Sequence, residues 1–221
     1  VNSQTFDVGD AIRFGWETTK ANLNLVIVLA FVGLVATGLP SAIAEWVVRG
    51  SPGLAMLFQL IGGIVSLVVG IGATRISLRL HDGGSATVGD LFAVDGPLLW
   101  RYFLASLLYG VVVTVGLVLL IIPGIIFSVR YIFYGYAVVD RNARPGEALS
   151  QSAAATKGVW GDLSLFGLAI ILLNILGALL LGVGLLVTIP ISAIATAWVY
   201  RRLTGTGPAT TPSATGNGLS M

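Results

Sequence analysis

From residue 23 to about residue 202 the chain is a series of long apolar runs broken by short polar stretches. A helix needs about 20 apolar residues to cross about 30 Å of hydrocarbon, and the runs predict six such helices. The first covers residues 23–46, with Pro40 expected to bend or end it. Glu45 and Arg49 mark the next loop, and Pro52 opens a second run to residue 76. The third and fourth share the stretch LVLLIIPGIIFSVRYIFYGYAVVD, residues 117–140. Proline suits a first helical position and glycine a tight turn, so Pro123 and Gly124 are read as a nearly loopless reversal between two spans. A fifth run covers residues 163–181. LLGVGLL then makes a second such reversal around Gly182 and Gly184, and the sixth run ends at Tyr200, Arg201 and Arg202.

The polar stretches predict shorter elements. Over residues 7–22, Val8, Ala11, Ile12, Gly15, Trp16 and Thr19 share one helical face, and Asp10, Arg13, Glu17 and Lys20 the other. That is the pattern of an amphipathic helix on a membrane surface, with Asp7 and Asp10 as its capping pair. Thr87 and Asp90 repeat the capping spacing in the loop after the second run, and Pro145 opens a further short helix in RPGEALSQSAAATKG. His81, the single histidine, reads as a loop residue without catalytic partners. Small residues at every fourth position, Gly62, Ser66, Gly70 and Thr74, form a stripe that lets another helix approach closely. Ser106, Gly110 and Thr114 form a similar one.

Composition agrees with the pattern. Charged residues are 10% of 221 and hydrophobic ones 56%, where a soluble domain carries about 25% charged residues to wet its surface. The chain is therefore solvated by lipid over most of its length. With no cysteine, disulfides and thiolate chemistry are excluded. A net charge of +2 is too small to argue for nucleic acid. The polar opening VNSQTFDVGD lacks the pattern of a cleavable signal peptide, and a first residue of valine leaves room for sequence upstream. After residue 204 the composition turns to Gly, Thr, Pro and Ser, so residues 1–204 form the membrane domain and 205–221 a flexible tail.

Two further patterns fix an expected architecture. Aligning Gly9 with Gly146 matches Asp10 with Glu147, Ala11 with Ala148, Thr19 with Thr156 and Lys20 with Lys157, and residues 88–91 offer a shorter copy. Each copy precedes a pair of spans, as in membrane proteins built from internal repeats. Under this scheme Arg13, Lys20, Arg75, Arg79, Arg101, Arg141, Arg144, Lys157, Arg201 and Arg202 lie on one side, Arg49 on the other, and Arg130 inside. Positive loops stay cytosolic. The expectation is an all-α polytopic bundle in the cell membrane. It has six transmembrane helices in three hairpins, each preceded by a short cytosolic amphipathic helix, and both termini are cytoplasmic.

The stretches FDVGDAIRFGW, IIPGIIFSVRYIFYGYAVVD, PGEALSQSAAATKG and NILGALLLGVGLLVTIP resemble a group of uncharacterised prokaryotic integral membrane proteins. They are also similar to the membrane domain of some glycerophosphodiester phosphodiesterases and to YciC-like proteins. The resemblance implies a six-helix bundle and no particular activity. In those phosphodiesterases catalysis belongs to a separate soluble barrel, which nothing here resembles.

No catalytic, cofactor or metal residues are expected, because the carboxylates fall in caps and loops and no Walker, zinc-ligand or serine-elbow pattern is found. The reading is a non-enzymatic structural or accessory membrane subunit. Its expected partners are membrane lipids, and other membrane subunits or a second copy are further candidates. The alternative is a transporter, channel or lipid- and anion-handling protein using an intramembrane polar site of Arg130, Tyr131, Tyr134 and Asn174. Intramembrane charge is costly and functional by default. Arg130 is expected near the midplane, pointing into the bundle toward Asn174, a tyrosine hydroxyl or carbonyls near Pro190.

Overall fold

A computed structural model describes residues 6–46, 51–180 and 182–206. Arg49 and residues 207–221 of the expected tail lie outside them. All the described elements are helical. They are α1 (Val8–Ala21), α2 (Leu23–Trp46), α3 (Pro52–His81), a 3-10 helix (Val88–Leu91), α4 (Gly96–Leu119), α5 (Ile121–Arg130), α6 (Tyr134–Arg141), α7 (Pro145–Ala155), α8 (Trp160–Leu179) and α9 (Leu185–Thr204).

The predicted starts are built from the residues that predicted them. Asp7 caps α1 by accepting from the Asp10 N–H at 3.0 Å. In the 3-10 helix the Thr87 N–H and hydroxyl both donate to Asp90 Oδ2, at 2.8 and 3.0 Å. Proline opens α3 and α7, and the Arg144 N–H donates to Glu147 Oε2 at 3.1 Å. On α1, Ala11, Gly15 and Thr19 are buried, while Asp10, Arg13, Trp16, Glu17 and Lys20 are exposed.

Among the described residues five segments are long and apolar enough to cross a membrane by length and composition, namely Leu23–Glu45, Pro52–His81, Gly96–Leu119, Ile121–Arg141 and Trp160–Leu179. Against the six expected, α9 falls short in apolarity, because it carries Thr188, Ser192 and Thr196 and ends in two arginines.

Of the two outcomes expected at Pro40, ending is excluded, since it lies inside α2. Two local expectations are corrected. The reversal of residues 117–140 occurs at Leu120, whose extended backbone (φ −162°, ψ 144°) separates α4 from α5. Pro123 is thus the third residue of α5, where an N–H would lack a helical partner anyway. Gly124 makes the hairpin's close contact, since a Cβ on Gly116 would lie 3.0 Å from the Gly124 Cα. The helix after this reversal is also not continuous. It breaks at residues 131–133, and α6 starts afresh.

The small-residue stripe of α3 is only partly a contact. Gly62 is buried, Ser66 is exposed, and a Cβ on Gly70 would meet the Tyr102 hydroxyl at an ordinary 3.5 Å. The Ser66 and Thr74 hydroxyls donate back to the Gly62 and Gly70 carbonyls. The tightest approach on α3 is off the stripe, at Gly72, where a Cβ would fall inside the Leu91 backbone of the 3-10 helix.

The helices assemble as hairpins with a short element wedged against each. The hairpins are α2–α3, α4 with α5 and α6, and α8–α9. The 3-10 helix packs on α3, α7 packs on α4 and α6, and α1 packs on α9. Each short element therefore sits on the hairpin that precedes it, and α1 closes the ring on the last one.

Candidate functional site

The four expected site residues do not converge. Arg130 ends α5, its side chain is exposed, and among the described residues its guanidinium has no hydrogen-bond partner. It does not point into the bundle. What is buried there is its backbone. The Ser152 and Thr156 hydroxyls of the α7 region each donate to the Arg130 carbonyl at 3.1 Å, and Ser152 Oγ accepts from the Phe133 N–H at 3.1 Å. Breaking a helix frees carbonyls and N–H groups that hydrocarbon cannot satisfy. Two hydroxyls, Ser152 on α7 and Thr156 at its C-cap, supply the partners, and both residues are fully buried.

Tyr131 caps α5 and lies tilted against Phe127, with ring centroids 6.3 Å apart. Tyr134 faces α4 instead. Its hydroxyl donates to Ser106 Oγ at 3.2 Å, and its ring stacks on Tyr109 at 4.7 Å. Asn174 belongs to the third hairpin, where its amide donates to the Ile170 carbonyl at 2.9 Å and to Ser192 Oγ at 2.8 Å. The expected Asn174–Arg130 contact is not made.

A charged cluster that the sequence did not suggest joins three helix ends. Arg201 of α9 donates from Nη1 to both carboxylate oxygens of Asp140, at 2.9 and 3.0 Å, and from Nη2 to Asp82 Oδ2 at 2.7 Å. The Tyr200 hydroxyl donates to Asp140 Oδ2 at 3.2 Å. His81 Nδ1 lies 3.0 Å from Asp82 Oδ1, and its ring packs 5.2 Å from that of Phe14 on α1. His81 is thus the packed last residue of α3 and not a loop residue. All these groups lie at the helix ends where the charges collect, so the cluster fastens α3, α6 and α9 to one another. Nearby, Arg79 donates to Asp90 Oδ1 at 2.6 Å, and Arg75 donates to the Ala93 carbonyl. The Thr87 N–H, the Thr87 hydroxyl and then Arg79 hold the Asp90 carboxyl below the ordinary aspartate range. Among the described residues no group of three or more His, Asp or Glu side chains is placed to hold a metal ion.

A shaped apolar cleft of about 290 Å³ lies between α2, α3 and α9. Leu29 and Gly33 of α2, Val69 and Ala73 of α3, and Leu186 and Ala193 of α9 line it. Its hydroxyl-bearing residues are Thr37 and Ser77, and both hydroxyls donate to carbonyls of their own helices, Gly33 and Ala73, at 2.8 Å. A guest in this cleft finds hydrocarbon and no free hydroxyl donor. Its room comes from Ala30, Gly33, Ala73 and Ala193, small residues spread over three helices with no shared spacing.

The chain is similar to uncharacterized protein Rv2560 of Mycobacterium tuberculosis, at 28% identity over 93% of this chain and 71% of that protein. It is equally similar to uncharacterized protein Mb2590 of Mycobacterium bovis, at 28% identity with the same coverage. No protein-family model matches the chain, and no solved structure does. The relatives thus agree with an uncharacterised protein and lend no support to a glycerophosphodiester phosphodiesterase or YciC likeness.

Proposed function

We propose that this is a non-catalytic membrane protein that works by holding lipid, as a structural or accessory component of the cell membrane. The apolar cleft between α2, α3 and α9 carries the reading. It is large enough for part of an acyl chain and lies between helices whose outer faces are apolar. In this reading three hairpins enter the bilayer from the cytosolic side and both termini are cytosolic, an orientation that the ten-to-one distribution of basic residues supports. The short elements α1, the 3-10 helix and α7 are three versions of one repeated unit. Supporting this, Ala11, Gly15 and Thr19 of α1 are buried at the positions that match Ala148, Ser152 and Thr156.

The test is to purify the protein in mild detergent and measure bound phospholipid by native mass spectrometry. Ala193→Phe fills the cleft. It should remove the bound lipid while leaving the melting temperature unchanged, and equal lipid in both proteins would defeat the proposal. One observation favours transport as a second reading, namely the interrupted helix beside Tyr134, since broken helices form many transporter sites. Solute or ion flux through proteoliposomes that Tyr134→Phe abolishes would support it.

A further inference from the structure

The hairpins differ in how far they stand above the short elements that pack on them. Those short elements carry exposed charge, including Arg13, Glu17 and Lys20 on α1 and Arg144, Glu147 and Lys157 around α7. Such charge belongs in water or among headgroups, so the elements mark the cytosolic surface of the bilayer. Exposed Trp16 on α1 and Trp160 beside α7 suit the same level.

Heights follow from the rise of about 1.5 Å per residue. The 3-10 helix touches α3 at Gly72, and the 21 steps from Ser51 to Gly72 make about 31 Å, a full hydrocarbon thickness. The α7 region is bonded to Arg130, only ten steps or about 15 Å from the turn at Leu120. On the other arm Arg101, whose Nη1 donates to the Asn142 carbonyl just before α7, is 19 steps or about 28 Å from that turn. On the third hairpin α1 meets Ile191 and Ala195 through Gly15, seven to eleven steps from Gly184, or about 10–17 Å. The short elements thus meet the α5 arm of the second hairpin and the α9 arm of the third closer to the tip than the 3-10 helix meets the first hairpin.

The tips differ in the same way. The first hairpin has Glu45 and Ser51 at its outer end, whereas the second and third end in bare hydrocarbon. Val118 is 81% exposed, Ile122 72% and Leu179 73%. These tips continue the exposed apolar surface of their own helices, from Leu107 through Val111 and Val115 on α4 and from Leu168 through Leu172 and Leu176 on α8. Their backbones also bond internally. The Leu120 N–H donates to the Gly116 carbonyl at 3.0 Å, the Leu120 carbonyl accepts from the Gly124 N–H at 3.4 Å, and Pro123 has no N–H. At the other tip the Gly182 N–H donates to the Ala178 carbonyl of α8, and those of Leu185, Leu186, Val187 and Thr188 donate to carbonyls of residues 182–184. Each such bond removes a polar group that hydrocarbon would leave unsatisfied.

We propose that only the α2–α3 hairpin crosses the bilayer, and that the second and third hairpins turn back inside its hydrocarbon. Lipid tails cover their tips. The protein is then a wedge, broad at the cytosolic leaflet and a single hairpin at the outer surface. This inference rests on the orientation proposed above.

The chain has no cysteine, so single spin labels can be attached through Ser51→Cys, Ser85→Cys, Leu120→Cys and Val183→Cys. Accessibility to oxygen and to a water-soluble nickel chelate is read by electron paramagnetic resonance in phosphatidylcholine–phosphatidylglycerol vesicles. The labels at 120 and 183 should be accessible to oxygen and shielded from nickel at least tenfold more than the label at 51. Nickel accessibility equal to that at 51 would overturn the proposal by placing the tips in water. Shielding from both reagents would overturn it by placing protein over them. The orientation fails separately, if an impermeant maleimide added to intact cells labels Ser85→Cys and not Ser51→Cys.

Discussion

The reversal between α8 and α9 depends on two glycines in direct contact, and Gly184→Ala isolates that contact. Gly184 has φ −59° and ψ −27°, a conformation any residue adopts, so alanine brings no backbone strain. Its methyl would lie 2.6 Å from the Gly177 carbonyl oxygen and 2.7 Å from the Gly177 Cα. Carbon normally rests about 3.5–4.0 Å from its neighbours. The obstructing atoms are backbone and cannot rotate away, so the two helices must part by about 1 Å. Overpacking of this kind costs about 1–3 kcal/mol. For a chain of this size each kcal/mol moves the melting temperature by about 2–4 °C, so a fall of about 2–12 °C is expected. Gly110→Ala is the control, because a Cβ there meets nothing within 4 Å. It should gain up to about 1 kcal/mol from replacing a helical glycine. Thermal unfolding in detergent, followed by circular dichroism, compares the two. If Gly184→Ala melts no lower than Gly110→Ala, the glycine contact does not hold the hairpin together.

Other perturbations test the remaining features. Asp140→Asn should lower stability toward the lower end of the about 3–5 kcal/mol expected for a broken buried ion pair, since Arg201 keeps Asp82; equal melting temperatures would show the cluster to be incidental. Ser152→Ala should cost about 1–3 kcal/mol by stranding the Phe133 N–H, and hydrogen exchange at that amide should rise. Because the Asp90 carboxyl is held below the usual range, its support of the 3-10 helix is full above the ordinary aspartate pKa and is lost as pH falls through the lowered value. Proteolysis of the 83–95 loop should therefore increase in acid, and Asp90→Asn should remove that dependence. Arg130→Leu should change stability by less than about 0.5 kcal/mol, as at other exposed sites.

Much of the fold was legible because each signal was local. Pro52 and Pro145 mark helix starts through their own geometry, and Thr87 with Asp90 needs only a three-residue spacing. The break after Arg130 was not legible, because the one helix-weakening residue of SVRYIFYGY, Gly135, lies inside α6 and not at the break. It is stabilised from outside by Ser152 and Thr156, about twenty residues further on. The turn at Leu120 was misplaced for a related reason. Pro123 tolerates any position in the first helical turn, so its presence locates the turn only to within a few residues. Of the candidate site, Tyr134 and Asn174 do make polar contacts between helices, but with Ser106 and Ser192 and not with each other.

The placement of Arg130 joins these points. A continuous helix from the turn to Asp140 would have carried the guanidinium to mid-depth, where a lipid-facing charge costs about 2.5–3.5 kcal/mol on insertion scales. The break instead ends α5 at Arg130 and ties its carbonyl to α7, the element with Arg144, Glu147 and Lys157 around it. An exposed arginine at that level extends its charge to headgroups and lays its methylenes along the apolar surface. The charge is then not a buried site that needs a partner. In the proposed topology it is an anchor at the cytosolic leaflet, and the bonds from Ser152 and Thr156 hold it at that level.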